Sequence, residues 1–380
     1  MYRNPKKHLM IVIGTRPEFI KVSPLVRLLR KSNEFRVTLC STGQHREMLG
    51  MLEKELKVNI NVDLNIMRPN QTLNGLFVKI IELLDAYFKE DKPDMVLVHG
   101  DTTTSFAAAM TAFNSGIAIA HIEAGLRTWD LQAPWPEEAN RHLTSVIADL
   151  QFAPTDTEKD NLIRENVDTN KIIVTGNTCI DSLLWIRDRL GEIKQTDIDQ
   201  AGLGFLKKED HVILMTSHRR ENFGKSLDAI CQSILKLAKE FPNYQFVYPV
   251  HLNPHVQNTV HSLLSNIPHI HLIPPLNYTY FIWLMNRSEI ILTDSGGVQE
   301  EAPALGKPVL VLREVTERPQ ALETNNVVLV GTDQQRIYEM VSNIINDDQL
   351  RSEMSHPVSP YGDGKASKKI INALIQWFHR

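Results

Sequence analysis

Three hundred and eighty residues, at roughly 150 per domain, point to two domains. With 42% hydrophobic and 23% charged residues, 18 Gly and 19 Pro, the chain can bury real cores, which excludes disorder and collagen-like repeats. Lys+Arg 41 against Asp+Glu 45 leaves a net charge of −4, with no basic excess to neutralise a phosphate backbone, so nucleic acid is not expected as a partner.

The first apolar run, 9–13, is too short for a signal-peptide core and is soon cut by Arg16. No stretch approaches the ~20 apolar residues that span a bilayer. The expectation is a cytoplasmic protein with no membrane partner. Cys40, Cys179 and Cys231 are far apart and form no CxxC pair, so neither a disulfide framework nor a zinc ribbon is indicated.

In chain order, HLMIVIG (8–14) reads as a strand and about 18–31 as a helix with Ile20, Leu25, Leu28 and Leu29 near helical spacing. Strands follow at 35–40, 94–101, 117–125 and 171–177, each trailed by helix-like sequence. The period restarts with strands at 211–218, 244–251, 269–275, 289–297, 307–313 and 326–332, and with helices near 225–240, 253–265, 278–287, 297–305 and 333–347. Near-continuous apolar strands alternating with helices predict an α/β fold of two doubly wound, Rossmann-like domains with parallel sheets. The polar stretch 191–204 reads as a connection. Ile370, Ile371, Leu374, Ile375 and Phe378 form one helical stripe that needs a surface to bury against. The expected boundaries are 1–178 and 179–363, with the helix 364–380 packing back on the first domain.

Ligands of such sheets bind beyond the carboxyl ends of the strands, where the chemically loaded residues gather in this chain. Two domains facing one cleft would aim both sets at one ligand. GTRPEFIK (14–21) offers Arg16 and open amides to an anion, or is an ordinary strand–helix turn. Neither GxGxxG nor a Walker P-loop occurs, which argues against NAD and P-loop ATP chemistry. Ser295, Gly296 and Gly297 present amides and a hydroxyl suited to a diphosphate. Glu300 and Glu301 nearby either accept ribose hydroxyls or offset a helix dipole. Asp101, Glu123 and Glu137 are candidates for proton transfer, the alternative for Glu137 being an i,i+4 pair with Arg141. His218, Arg219 and Arg220 converge on one strand end, as phosphate ligands or as plain surface residues. His269 and His271 bring no nearby carboxylate or cysteine, HExxH is missing and no DxD of the metal-nucleotide kind appears, so no metal is expected.

Together, GTRPEFIK, TGQHREML (42–49), HGDTTTSFAAA (99–109), HIEAGLRT (121–128), PWPEEANR (134–141), TSHRRENFG (216–224), PVHLNP (249–254), TDSGGVQEEAPALGKP (293–308) and REVTERPQ (313–320) resemble the non-hydrolysing UDP-N-acetylglucosamine 2-epimerases over nearly the whole chain. The resemblance implies the glycosyltransferase-B architecture, a homodimer and no cofactor. It also implies interconversion of UDP-N-acetylglucosamine (UDP-GlcNAc) and UDP-N-acetylmannosamine (UDP-ManNAc) for surface polysaccharides. UDP would leave by anti elimination, giving a 2-acetamidoglucal, and re-add with inversion at C2.

Carried over by motif, Asp101, Glu123, Glu137 and His218 are catalytic. Arg16, Lys21, Arg141, Arg219, Phe281, Ser295, Gly296, Gly297, Glu301 and Arg318 bind the substrate, with Glu301 on the ribose and Phe281 near uracil. A second, activating UDP-GlcNAc site would include Gln44, His45, Gln71 and His251. There this chain departs from the family pattern: Glu47 stands where Gln is expected and Asn70 where Arg is expected, which implies weakened or absent activation. The rivals are a hydrolysing 2-epimerase, whose HIHGGE-like string is replaced here by HIEAG, an epimerase of a 2,3-diacetamido uronate, a non-catalytic sugar-nucleotide sensor and a glycosyltransferase.

Overall fold

The computed structural model describes residues 5–43, 46–68 and 71–379. The apolar runs of the first half form seven strands: β1 (Lys7–Ile13), β2 (Phe35–Ser41), β3 (Val62–Asp63), β4 (Met95–His99), β5 (Ala118–Ile122), β6 (Leu150–Ala153) and β7 (Ile172–Val174). They pair in parallel in the order β3-β2-β1-β4-β5-β6-β7. The second half forms β8 (His211–Thr216), β9 (Tyr244–Pro249), β10 (Ile270–Ile273), β11 (Ile290–Thr293), β12 (Val309–Val311) and β13 (Val327–Leu329). These also pair in parallel, in the order β10-β9-β8-β11-β12-β13.

Each sheet is built outward from one inner pair, β1 beside β4 and β8 beside β11. Strand order reverses direction at those pairs, so they are the topological switch points where such sheets leave a crevice beyond the carboxyl ends. Leu9 to Ile13 are fully buried, as parallel strands covered on both faces must be. One apolar cluster joins Met10 and Val12 to Val96, Val98 and Ile80. In the second sheet Ile213, Leu292 and Leu310 pack with Ile234, Leu237 and Ile337.

Two strands are invisible to the apolar pattern. β3 is only two residues long. β6 reads Leu-Gln-Phe-Ala, and Gln151, buried with its Nε2 donating to the Ser145 carbonyl at 2.8 Å, breaks the run. The first helix, Arg16–Lys31, begins two residues earlier than its apolar spacing indicates, because Thr15 and Glu18 form a capping box. The polar connection carries a short helix, Gln195–Gln200.

The chain divides into two compact units, Met1–Ser182 with Tyr361–Arg380, and Leu183–Pro360. The first division falls inside the helix Thr178–Arg187, whose opening turn stays with the first unit. There Cys179 and Ile180 are buried, and the Ser182 hydroxyl donates to the Ile20 carbonyl at 2.6 Å. The last helix, Ala366–Phe378, lies on the helix Arg16–Lys31, and its first amides, Ala366 and Ser367, donate to Asp181 at 3.1 and 2.8 Å. Gly176 is required where the returning chain crosses. Its φ is +90°, and a Cβ there would come within 3.2 Å of the Gly362 Cα and the Tyr361 carbonyl oxygen. Among the described residues, no helix is long and apolar enough to cross a membrane.

Candidate active site

The first unit places three carboxylates in three different electrostatic settings. β4 ends at His99, and Gly100 turns with φ +65°, its carbonyl held by His121 Nε2 at 2.7 Å. Burial pushes the His121 imidazole down to about 4, so it is neutral and serves the turn. The next residue, Asp101, accepts from Arg141 through Nε at 2.9 Å and Nη2 at 2.7 Å, while Asn140 Nδ2 donates to its carbonyl at 2.9 Å. The remaining Arg141 nitrogen, Nη1, lies 2.8 Å from Glu138 Oε2. Glu138 is fully buried. Burial pushes its carboxyl up, but the Arg141 hydrogen bond and the amides of Trp129 and Thr128 more than offset this and hold it below the usual glutamate range.

Glu123, just past β5, has φ +61°, the left-handed region that non-glycine side chains seldom occupy. Its Oε2 lies 2.5 Å from Lys21 Nζ and 3.6 Å from His99 Nε2. Glu137 opens the helix Glu137–Ile147, one turn before Asn140 and Arg141 and therefore on the face that grips Asp101. Half-buried, its side chain has no hydrogen-bond or ion partner among the described residues, and neither has that of Arg16, the first residue of the helix Arg16–Lys31.

The second unit builds a cationic, hydroxyl-bearing cradle. Asp294, fully buried just past β11, accepts from the Ser217 hydroxyl at 2.8 Å, the His218 and Arg219 amides at 2.9 and 3.0 Å, and Asn222 Nδ2 at 3.0 Å. His218 Nδ1 sits 3.1 Å from Asp294 Oδ1. A carboxylate only accepts, so Nδ1 donates and Nε2 of this 41% exposed imidazole is kept for a ligand. Burial pushes the Asp294 carboxyl up, yet the His218 hydrogen bond and charge, with the Arg219 amide and Ser217 hydroxyl, leave it below the usual aspartate range. His251 stacks on His218 with centroids 5.7 Å apart. Its own imidazole is pushed down by burial and by the His218 charge.

A Cβ on Gly296 would lie 3.7 Å from Arg318 Nη2 and 3.8 Å from Arg219 Nη2, so two guanidiniums flank the start of the helix Gly296–Glu301. Ser295 caps that helix without a side-chain cap bond, and Gly297 is exposed. Open amides, a hydroxyl and two guanidiniums together suit a diphosphate. Behind them, Arg318 Nε is held by Glu300, and the Tyr278 hydroxyl donates to Glu301. The latter contact ties the helix Tyr278–Arg287, which carries the half-buried Phe281 one turn on, to the acidic end of this segment.

The family model described as UDP-N-acetylglucosamine 2-epimerase matches residues 27–375. The UDP-N-acetylglucosamine 2-epimerase of Escherichia coli K12 is 48% identical over 367 residues, covering 96% of this chain and 98% of that one. The chain belongs to the UDP-N-acetylglucosamine 2-epimerase family. The crystal structure of the Neisseria meningitidis UDP-GlcNAc 2-epimerase bound to UDP-GlcNAc matches with a TM-score of 0.90 and 47% identity, covering 97% of this chain and 100% of that one. The S. aureus MnaA–UDP co-structure matches with a TM-score of 0.86 and 41% identity, covering 98% of this chain and 97% of that one.

In this member of the epimerase family, the switch point of the first sheet carries Arg16 and Asp101, with Lys21, Glu123 and Glu137 around it. That of the second carries His218, Arg219, Ser295, Gly296, Gly297 and Arg318, with Glu301 and Phe281 on the elements beside it. Two of the charged residues expected on the substrate have partners within the protein. Arg141, expected on the substrate, is 9% exposed and commits its guanidinium to Asp101 and Glu138. For the same reason it forms no i,i+4 pair with Glu137. Lys21, likewise expected on the substrate, holds Glu123.

Gln44 and His45 lie outside the described residues, as do Asn70 and the side chain of Glu47, whereas Gln71 is half-buried just before the helix Leu73–Glu90. Glu18, His99 and Glu138, beside these residues, escape sequence reasoning, and Asp294, one of the loaded strand-end residues, receives no role there. Asp294 carried a signal, an acid immediately after an apolar strand and before Ser-Gly-Gly, and Glu18 carried one in the Thr-x-x-Glu capping pattern.

Proposed function

We propose that this protein interconverts UDP-GlcNAc and UDP-ManNAc without hydrolysis. The observation that carries the reading is the division of chemistry between the two switch points: three carboxylates at one, a histidine–arginine–glycine cradle at the other. The family supports the same substrate, since its Neisseria meningitidis member is described with UDP-GlcNAc bound.

The proton on C2 of the sugar has no neighbouring carbonyl to acidify it. Cleaving the C1–O bond first gives C1 oxocarbenium character, and the C2 proton becomes acidic. Arg219, Arg318, His218 and the amides at Gly296 and Gly297 stabilise the departing UDP as its charge grows. One carboxylate of Asp101, Glu123 and Glu137 takes the C2 proton, leaving 2-acetamidoglucal and UDP. A proton is then returned to the opposite face of C2 while the β-phosphate oxygen rebuilds the bond to C1. No water enters the balance.

The protein acts in the cytoplasm as a homodimer and supplies surface-polysaccharide synthesis. Phe113, Leu143 and Val146 are 55%, 48% and 79% exposed on the contacting helices Thr103–Asn114 and Glu137–Ile147, and such exposed apolar side chains support dimerisation. Activation by UDP-GlcNAc is weak or absent, since, against the family pattern, Asn70 removes a cation and Glu47 adds an anion, which disfavours a diphosphate. The rate is therefore expected to rise hyperbolically with substrate, and a sigmoidal rise would contradict this.

Positional isotope exchange tests the bond cleavage. With 18O in the bridge between C1 and the β-phosphorus, the label is expected to scramble into the non-bridging β-phosphoryl positions during turnover. Epimerisation with the label fixed in the bridge would overturn the mechanism.

A further inference from the structure

Glu18 is 3% exposed, and its carboxyl collects five donors from two turns. Oε2 accepts from the Gly14 amide at 3.0 Å, the Thr15 amide at 2.7 Å and the Thr15 hydroxyl at 2.8 Å. Oε1 accepts from the Thr102 hydroxyl at 2.8 Å and lies 3.0 Å from the Ser105 hydroxyl, whose one proton is shared with the His99 carbonyl at 2.6 Å. Of the Oε2 contacts, the Thr15 amide is that of a capping box. The Oε1 contacts reach 84 and 87 residues along the chain and do nothing for the cap.

The two turns follow β1 and β4, the inner pair of the first sheet, and each leads directly to a residue of the proposed chemistry: Arg16 after Gly14–Thr15, Asp101 before Thr102. Thr102 in turn caps the helix Thr103–Asn114 through the Ser105 amide at 3.1 Å. One buried carboxyl therefore spans the switch point. Burial pushes it above the usual glutamate range, against the pull of the Thr15 and Thr102 hydroxyls and the Gly14 and Thr15 amides.

We infer that Glu18 is a positioning residue, a strut that fixes the Gly14–Arg16 turn against the 101–105 turn and so sets Arg16 and Asp101 relative to one another. What it supplies is hydrogen-bond geometry. The backbone amides can only donate, so they require an oxygen. The Thr102 and Ser105 hydroxyls can rotate and accept, so an amide nitrogen can replace Oε1. Glutamine should then substitute and alanine should not.

The inference rests on the epimerase reading, and the test separates the two. Wild type, Glu18→Ala and Glu18→Gln are compared for kcat and KM of epimerisation, for UDP affinity by calorimetry, and for amide hydrogen exchange across 14–16 and 101–105. Glu18→Ala is expected to lower kcat at least about tenfold, as misplacement of reacting groups by about 1 Å does, with a smaller loss of UDP affinity, since Arg16 is the one UDP group on these turns, and faster exchange in both turns. Glu18→Gln is expected to recover most of both losses. Should Glu18→Ala fail to fold, Glu18→Asp is used: one methylene shorter, it cannot span both turns, and it should lose kcat and loosen 101–105. Wild-type kcat in Glu18→Ala or Glu18→Asp, faster exchange confined to 14–16, UDP affinity falling in step with kcat, or a glutamine variant no better than alanine would each overturn the strut. A wild-type protein that epimerises nothing defeats the epimerase reading, and the exchange rates of the two turns then decide the strut on their own.

Discussion

Nδ1 of His218 faces Oδ1 of Asp294 at 3.1 Å, and the same carboxylate accepts the backbone amides of His218 and Arg219. Asp294 thus fixes both the imidazole and the turn that presents it, in the way a buried acid orients a histidine toward the group it serves. That arrangement is what aims Nε2 of His218 at a leaving phosphate.

Asp294→Asn should therefore lower kcat by about two orders of magnitude or more, by analogy with the loss seen when an orienting carboxylate becomes an amide and imposes the wrong tautomer. It should also change acid stability. The folded carboxyl lies below its ordinary value of 3.8, so its contribution is present above that value and is lost as the pH falls through the folded pKa. Urea unfolding of wild type should weaken more steeply on the acid side than that of the variant. Parallel curves would remove the charge from the account.

Asp101→Asn should abolish turnover and leave UDP affinity nearly unchanged, because Asp101 is assigned to proton transfer and not to UDP. Arg219→Met should do the reverse first, weakening UDP binding about tenfold through loss of a charge-assisted contact. Calorimetry with UDP on both variants checks the pair. A large loss of UDP binding in Asp101→Asn would make that residue structural.

The alternation of apolar strands and helices was legible, and with it the placing of loaded residues at strand ends, because a buried parallel strand is marked by its own composition. β6 was not, since Gln151 anchors its amide nitrogen through a fold contact that leaves no local trace. The direction of Arg141 was hidden for a similar reason. Its i,i+4 neighbour Glu137 is local, but the partners it takes are Glu138 and Asp101, and the latter lies 40 positions away. Glu18 shows both cases in one side chain: the half that caps its helix follows a sequence pattern, and the half that reaches Thr102 does not.

Removing Arg141 leaves Glu138 buried without its cation. Two backbone amides and His142 Nε2 remain on that carboxyl, so Arg141→Met should cost about 3 kcal/mol, the lower end for breaking a buried pair. Urea denaturation measures this directly, and a loss below about 1 kcal/mol, the level of a surface pair, would contradict it.

Val146, the most exposed large apolar residue on its helix at 79%, should sit in the dimer interface. Wild type is expected to sediment as a dimer and Val146→Glu as a folded monomer. A monomeric wild type, or an unaffected dimer in the variant, would move the interface elsewhere.

Incubation with UDP-GlcNAc in D2O, followed by proton NMR, reaches the central claim most directly. Removal and return of the C2 proton predicts deuterium at C2, an intact UDP-sugar and a mixture of the two epimers. Free ManNAc, or a C2 position that keeps its proton after prolonged incubation, would contradict it.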